Sequence, residues 1–395
     1  MNHFKISKLS VKEIAGSFGI VAIYYCLIWT IIFFSYYLTP SSPFLAQHIS
    51  PWHLLMQWDA NYYYNIATQG YTTTTAFFPL YPILIWLFSF LFSPLNAGLF
   101  ISYIFLSLTV WYIYRLFKHE SDSQFSFKII ALLLLAPCGF FFASLYTESL
   151  FLFFLVTFFY YLKEKRWLIA SLMGTGAVLT RNVGVFLIPV YITALYVSEN
   201  TSASFVFQKF KELIFSFTRS ISGLLRKKEF YYVLLIPLGL SIFCFYTLFT
   251  FHDFLKFIHD QKMWADVRTY MFPWQSIPRL IELYTSKSWE VNIYGFLVSG
   301  VFEFGSALLT LVATIYWIIK KQWPYAVLCL LNTLIFFSMF PMASVNRYML
   351  VILPVFIFII ELTERRMWLF LTILAFSIVL FTLNLRLFVV GTWIG

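Results

Sequence analysis

Long apolar runs separated by short polar intervals fill the chain, and runs of this length read as membrane spans, not as core helices of a soluble domain. The first covers residues 17–38. A polar and aromatic stretch follows over 39–75, with Pro40, Pro43, Pro51 and the string Gln57-Trp58-Asp59-Ala60-Asn61-Tyr62-Tyr63-Tyr64. The run 76–92 is apolar enough to span, yet Pro79 and Pro82 lie near its start and no basic residue follows it. Further runs cover 97–117, 129–145, 150–162, 167–180, 184–197, 230–251, 291–319, 325–340, 348–362 and 368–385. If 76–92 lies in the outer face of the membrane without crossing, these runs make about 11 transmembrane helices. The expected fold is therefore an all-α, polytopic integral membrane protein with one membrane-embedded domain over 1–395. It has a large first outer loop (39–96), a cytoplasmic loop (198–229) and a second outer loop (252–290).

Composition supports the bilayer as the main solvent. Of 395 residues 61% are apolar, 22% aromatic and 11% charged, with 49 Phe and a mean hydropathy of +0.80, whereas soluble domains carry about 25% charged residues. The net charge of +10 comes from loops and does not mark a nucleic-acid binder. With 76–92 kept from crossing, 19 of the 27 Lys and Arg fall on the cytoplasmic side, as the positive-inside rule requires. Full crossing inverts every later loop. The N-terminus is accordingly expected in the cytoplasm of a cell-membrane protein. Cys26, Cys138, Cys244 and Cys329 lie far apart in apolar runs and read as small core hydrophobes.

The same orientation gathers polar groups on the outer face. These are Trp58-Asp59, Tyr146-Thr147-Glu148-Ser149, Arg181, the loop with His252-Asp253, His259-Asp260-Gln261-Lys262, Trp264 and Arg268, and Asn346-Arg347. The runs 150–162 and 167–180 are only about 20 Å long at 1.5 Å per residue, short of the ~30 Å hydrocarbon core. Such short helices beside polar ends suggest a cavity in the outer leaflet. Asp59 reads either as a helix cap in an aromatic belt or as a general base in a semi-apolar pocket. Glu148 reads as a solvated loop residue or as a working intramembrane carboxylate. The His259–Arg268 loop fits both a solvated amphipathic helix and a holder of phosphate and sugar. Arg181 and Arg347 are headgroup anchors or phosphate ligands. Glu303, deep in an apolar run, calls for a structural partner such as Asn332 or for a function. No phosphate-binding glycine loop, zinc cluster or acidic metal motif is present.

Several strings occur in order: W-D-A-N-Y-Y-Y-N-I-A-T-Q-G-Y from Trp58, A-F-F-P-L-Y-P from Ala76, L-Y-T-E-S-L-F from Leu145, L-T-R-N-V-G from Leu179, F-I-H-D-Q-K-M-W from Phe257 and R-Y-M-L-V-I-L-P from Arg347. Together the chain resembles the PIG-V-type mannosyltransferases, specifically their bacterial relatives in the GT-C superfamily, over Trp58 to Pro354. The resemblance implies a membrane hexosyltransferase, by family default a mannosyltransferase, that takes sugar from a polyprenyl-phosphate donor and passes it to a glycan or lipid acceptor outside. It puts the catalytic base at Asp59 and adds Glu148 and Arg181 to the active site. Trp58, Tyr62, Tyr146, His259, Gln261, Trp264, Arg268 and Arg347 are the further candidates for substrate contact. Relatives commonly show an acidic residue before A-F-F-P, where this chain has Thr72 to Thr75.

A membrane-bound donor leaves no need for a nucleotide-sugar domain. One base and one displacement invert the anomeric centre, so a β-linked donor gives an α-linked product. Neither cofactor nor metal is called for, since the leaving group is a single phosphate that arginines can neutralise. The expected partners are the lipid-linked donor, its acceptor and membrane lipids, with no nucleic acid. The competing reading is a multi-span transporter or flippase of lipid-linked sugars, which calls for internal repeats and broken helices in matching halves. A family member without activity is a third reading.

Overall fold

The computed structural model describes residues 11–38, 51–118, 123–199, 223, 225–264, 268–285 and 300–394. Parts of the expected loops 39–96, 198–229 and 252–290, and the start of the expected span 291–319, lie outside the described residues. The α-helices of five or more residues among those described are α1 (Val11–Leu38), α2 (Asp59–Gln69), α3 (Leu80–Phe88), α4 (Pro94–Phe117), α5 (Ser123–Leu134), α6 (Glu148–Lys163), α7 (Trp167–Thr180) and α8 (Leu187–Glu199). They continue with α9 (Leu235–Phe251), α10 (Pro273–Thr285), α11 (Phe302–Ile319), α12 (Trp323–Phe336), α13 (Val345–Met349), α14 (Leu353–Thr363) and α15 (Met367–Val389). The two-residue strands β1 (Thr269–Tyr270) and β2 (Met339–Phe340) pair antiparallel, with Thr269 opposite Phe340.

Among the described residues six helical segments are long and apolar enough to cross a membrane, and α5, α7, α12 and α14 are shorter apolar helices. Large apolar side chains face outward along them, among them Phe33, Phe249, Ile319 and Leu371, each more than half exposed. In water such a surface would aggregate; in lipid it is the expected one. The chain is an all-α, multi-pass membrane protein.

The described residues form two compact units, discontinuous in sequence. The first comprises Met1–Gly70, Tyr81–Val156 and Thr363–Ile394; the second holds Tyr71–Leu80 and Thr157–Leu362. In the first, α1 packs on α4 and α15. Polar side chains fasten these helices to neighbouring backbone, the Tyr24 hydroxyl donating to the Gly139 carbonyl at 2.6 Å and Asn384 Nδ2 to the Pro137 carbonyl at 3.1 Å. In the second unit α7 packs on α9 and α11 on α12. The Thr175 hydroxyl donates to the Leu235 carbonyl at 2.8 Å, a short polar link of the kind that joins helices in lipid.

One expected span breaks, and the run 76–92, kept apart from the eleven expected spans, is short. The run 129–145 is not one helix, because α5 stops at Leu134. Pro137 cannot extend the ladder, and Gly139 folds the chain back so closely that a Cβ there would lie 2.2 Å from the Leu134 carbonyl oxygen. A 3₁₀ turn over Gly139–Ala143 and irregular backbone follow to Thr147, almost all of it buried, which a membrane tolerates only inside protein. The run 76–92 yields only α3, nine residues or about 13 Å, less than half the hydrocarbon thickness.

Candidate active site

In the first unit the two candidate catalytic carboxylates both open helices. Asp59 is the first residue of α2 and Glu148 the first of α6, where free backbone N–H groups and the helix dipole favour negative charge. Asp59 is half-buried, whereas Glu148 is 1% exposed. Three contacts stitch the chain on either side of Asp59 to the chain just before Glu148. The Leu145 N–H donates to the Leu55 carbonyl at 3.2 Å, the Tyr146 hydroxyl donates to the Gln57 carbonyl at 2.9 Å, and the Tyr63 and Thr147 hydroxyls meet at 3.4 Å. Tyr146 is therefore a buried brace (1% exposed), and its hydroxyl is committed to backbone. Tyr62 is half-buried on α2.

Trp58 has a left-handed φ of 53°, which costs a non-glycine residue about 1–3 kcal/mol. The bend is held from both sides. The Ala60 N–H donates to the Gln57 carbonyl at 3.1 Å, while Asn61 donates to the Trp58 carbonyl through its N–H at 3.1 Å and its Nδ2 at 3.3 Å. The Trp58 ring stands edge-on to Trp393 at 5.5 Å and remains 44% exposed.

The second unit gathers the arginines. Arg181 terminates α7 in extended backbone, and Gly184 turns the chain so tightly against α7 that a Cβ would lie 2.5 Å from the Val178 nitrogen. That approach explains the glycine of L-T-R-N-V-G. The Arg181 guanidinium sits 5.1 Å from the centre of the Tyr348 ring, Arg347 5.3 Å and Arg268 6.0 Å. Arg268 Nη1 also donates to the Tyr348 hydroxyl at 3.0 Å. Arg268 leans on Trp264 and Tyr270 as well. Burial opposes its charge, but the Tyr348 and Tyr270 side chains beside it outweigh burial and hold its pKa above the ordinary value. Arg347 is 5% exposed. Three guanidiniums thus lie within about 6 Å of one ring centre, an arrangement of planar donors and positive charge suited to an anion. Tyr348, next to the predicted Arg347, is the hub the sequence reading passed over.

The structure supplies Glu303 with partners other than Asn332. Its carboxylate, 3% exposed, accepts the backbone N–H groups of Ser344 at 3.0 Å, of Asn346 at 3.1 Å and of Val345. Asn332 Nδ2 instead donates to the Leu328 carbonyl at 2.9 Å.

The remaining candidates divide. Trp264 packs edge-on to Phe77 at 5.7 Å as well as against Arg268. His259 is exposed and pairs through Nδ1 with Asp253 Oδ2 at 2.7 Å, and this contact holds Asp253 below the usual carboxylate range. It is not part of the arginine group. Gln261 lies half-buried in the turn Asp260–Trp264. Its neighbour Asp260 carries the contact: Oδ2 accepts the Thr75 N–H at 2.6 Å and hydroxyl at 2.8 Å, and Oδ1 takes Lys256 Nζ at 2.8 Å. Burial raises this carboxyl, but the Lys256 and Thr75 bonds outweigh it and the pKa lies below the ordinary value. The string before A-F-F-P, which has no acid of its own, thus receives a carboxylate from a residue 185 positions away.

No family model and no curated protein sequence matches the chain. Among solved structures, the chain is similar to the apo oligosaccharyltransferase of Archaeoglobus fulgidus, at 13% identity and a TM-score of 0.43. The match covers 94% of this chain and 56% of that one, so this chain spans little more than half the length of that protein. A likeness of this degree carries no argument about activity.

Proposed function

We propose that the protein is a membrane glycosyltransferase of GT-C type that moves a hexose, mannose by resemblance, from a polyprenyl-phosphate donor to a glycan or lipid acceptor on the outer face. The observation that carries this reading is the set of Arg181, Arg268 and Arg347 around Tyr348, a site suited to a phosphate within a protein whose surface suits a lipid substrate. Asp59 is the base. It takes the proton of the acceptor hydroxyl as that oxygen attacks the anomeric carbon, and the anomeric C–O bond to phosphate breaks with its electron pair leaving on the polyprenyl phosphate. The arginines neutralise the charge that develops there. Glu148, buried at the start of α6, holds the acceptor. Inversion follows from the single displacement.

The test uses purified protein in detergent, supplied in turn with polyprenyl-phosphate mannose, glucose and galactose and with envelope glycolipid as acceptor, while release of polyprenyl phosphate is followed. One donor should be consumed in preference. No release from any of them overturns the reading.

A further inference from the structure

Glu303 is a buried acid that accepts three backbone N–H groups and that the proposed reaction does not use. It lies in the first turn of α11, a segment long and apolar enough to cross the membrane, where an ionisable residue is expensive and marks a function. Its three backbone bonds go to consecutive residues, Ser344, Val345 and Asn346, which immediately precede Arg347 and Tyr348. The turn it grips is unusual in two ways. Ser344 has a left-handed φ of 66°, and Asn346 is clamped a second time to α11, the Ser306 hydroxyl donating to its Oδ1 at 2.6 Å. Ser344, Val345, Asn346 and Ser306 are all buried. Glu303 also interacts electrostatically with Arg347 itself.

Resting on the reading of the arginine group as a phosphate site, we propose that Glu303 is its positioning residue. Its carboxylate fixes the Ser344–Asn346 turn, and the turn presents Arg347 and Tyr348, the ring on which Arg181 and Arg268 also rest. A neutral amide of the same shape keeps one accepting oxygen and sets an NH₂ against at least one backbone N–H. The turn then loses charge-assisted bonds, each a strong contact when buried. A structural anchor alone would weaken folding and leave the arginines independent of it. A positioning residue makes the two energetically inseparable.

The experiment is a double-mutant cycle on Glu303→Gln and Arg347→Ala, read as binding of polyprenyl phosphate to the full-length protein in detergent, with melting temperature recorded for each variant. Glu303→Gln should weaken binding roughly 10- to 100-fold, Glu303→Asp should recover part of it, and Glu303→Gln should add less than about threefold on the Arg347→Ala background. Full multiplicative losses overturn the inference, as does unchanged binding in a folded Glu303→Gln protein. If Glu303→Gln fails to fold, Ser306→Ala, which removes the second clamp on the same turn, takes its place in the cycle with the same outcomes. The cycle reads binding and not turnover. A protein that transfers no sugar but shows the coupling loses the proposed function and keeps the positioning role.

Discussion

Asp59→Asn separates a catalytic carboxylate from a helix-opening one. Asp59 starts α2, where a negative charge near the exposed N–H groups contributes about 0.3–1 kcal/mol. Asn is also favoured at helix starts, and the bend before it is held by Ala60 and Asn61, not by the Asp59 side chain alone. Against the 5–15 kcal/mol of a typical domain, such a loss moves the melting temperature by a few degrees at most. The chemistry loses far more. Without a proton acceptor the rate falls by the 10²–10⁴ of general-base catalysis, or about 2.7–5.4 kcal/mol in the barrier at 1.36 kcal/mol per decade. The assay is release of polyprenyl phosphate under saturating donor, paired with a melting curve and a donor-binding isotherm. A fall in kcat with donor affinity intact is the expected result, since the base acts on the acceptor's hydroxyl. A variant melting within a few degrees of the native protein and turning over within twofold of it refutes the assignment and moves the base to Glu148.

Arg181→Ala and Arg347→Ala should each raise the donor KM, and Lys at either place should restore only part of it because the planar fork is lost; unchanged KM and turnover in both Ala variants make the arginines headgroup anchors. Gly184→Ala drives a Cβ into backbone and should cost activity through Arg181, read as a raised donor KM in a protein that still purifies as a single species. Asp260→Asn should loosen the Thr75 segment and lower thermal stability by about 1–3 kcal/mol. Because the folded Asp260 carboxyl is depressed, this contribution is fully present above the unfolded value near 4 and is lost as the pH falls through the lower folded value, so native and variant melting curves should differ at pH 7 and draw together as the solution is acidified below pH 4. For topology, Ser222→Cys should react with an impermeant thiol reagent only after the cells are opened; labelling of intact cells inverts the assignment of faces.

Hydropathy was enough to find most of the long apolar helices, because a span must satisfy all its backbone groups internally and is therefore apolar over its whole length, but not α2 and α10, which lie in stretches read as loops. The match over Trp167–Thr180 needs no tertiary information. Hydropathy failed at 135–147, where the residues are as apolar as in a membrane helix but the backbone holds only a short 3₁₀ turn and no α-helix. Pro137 and Gly139 were the available signals, and burial inside protein cannot be read from a one-dimensional pattern. Trp58, Asp59, Glu148, Arg181 and Arg347 were legible as chemistry-bearing residues in apolar surroundings. Tyr348 was not, since one tyrosine among 26 stands out only when three guanidiniums are seen on its ring. The Thr75–Asp260 contact joins positions 185 apart, and no local pattern announces a carboxylate delivered from another loop.

Asp59, Glu148 and Glu303 face the same physical problem, a carboxylate at or within a medium that solvates charge poorly. Backbone N–H groups are the least expensive remedy, and a regular helix has none to spare except in its first turn. Two of the acids therefore open helices themselves, and Glu303 reaches across to the turn that opens α13. Charged chemistry in such a protein is confined to places where a helix starts or breaks, here Trp58–Asp59, 135–148, 181–186 and 337–347. In a chain otherwise uniform in hydropathy, an acid or arginine within a few residues of a Pro, a Gly or a left-handed turn marks where the backbone has been opened to hold a charge. Asp59 after the left-handed Trp58, Arg181 before Gly184 and Arg347 after the left-handed Ser344 all meet that condition.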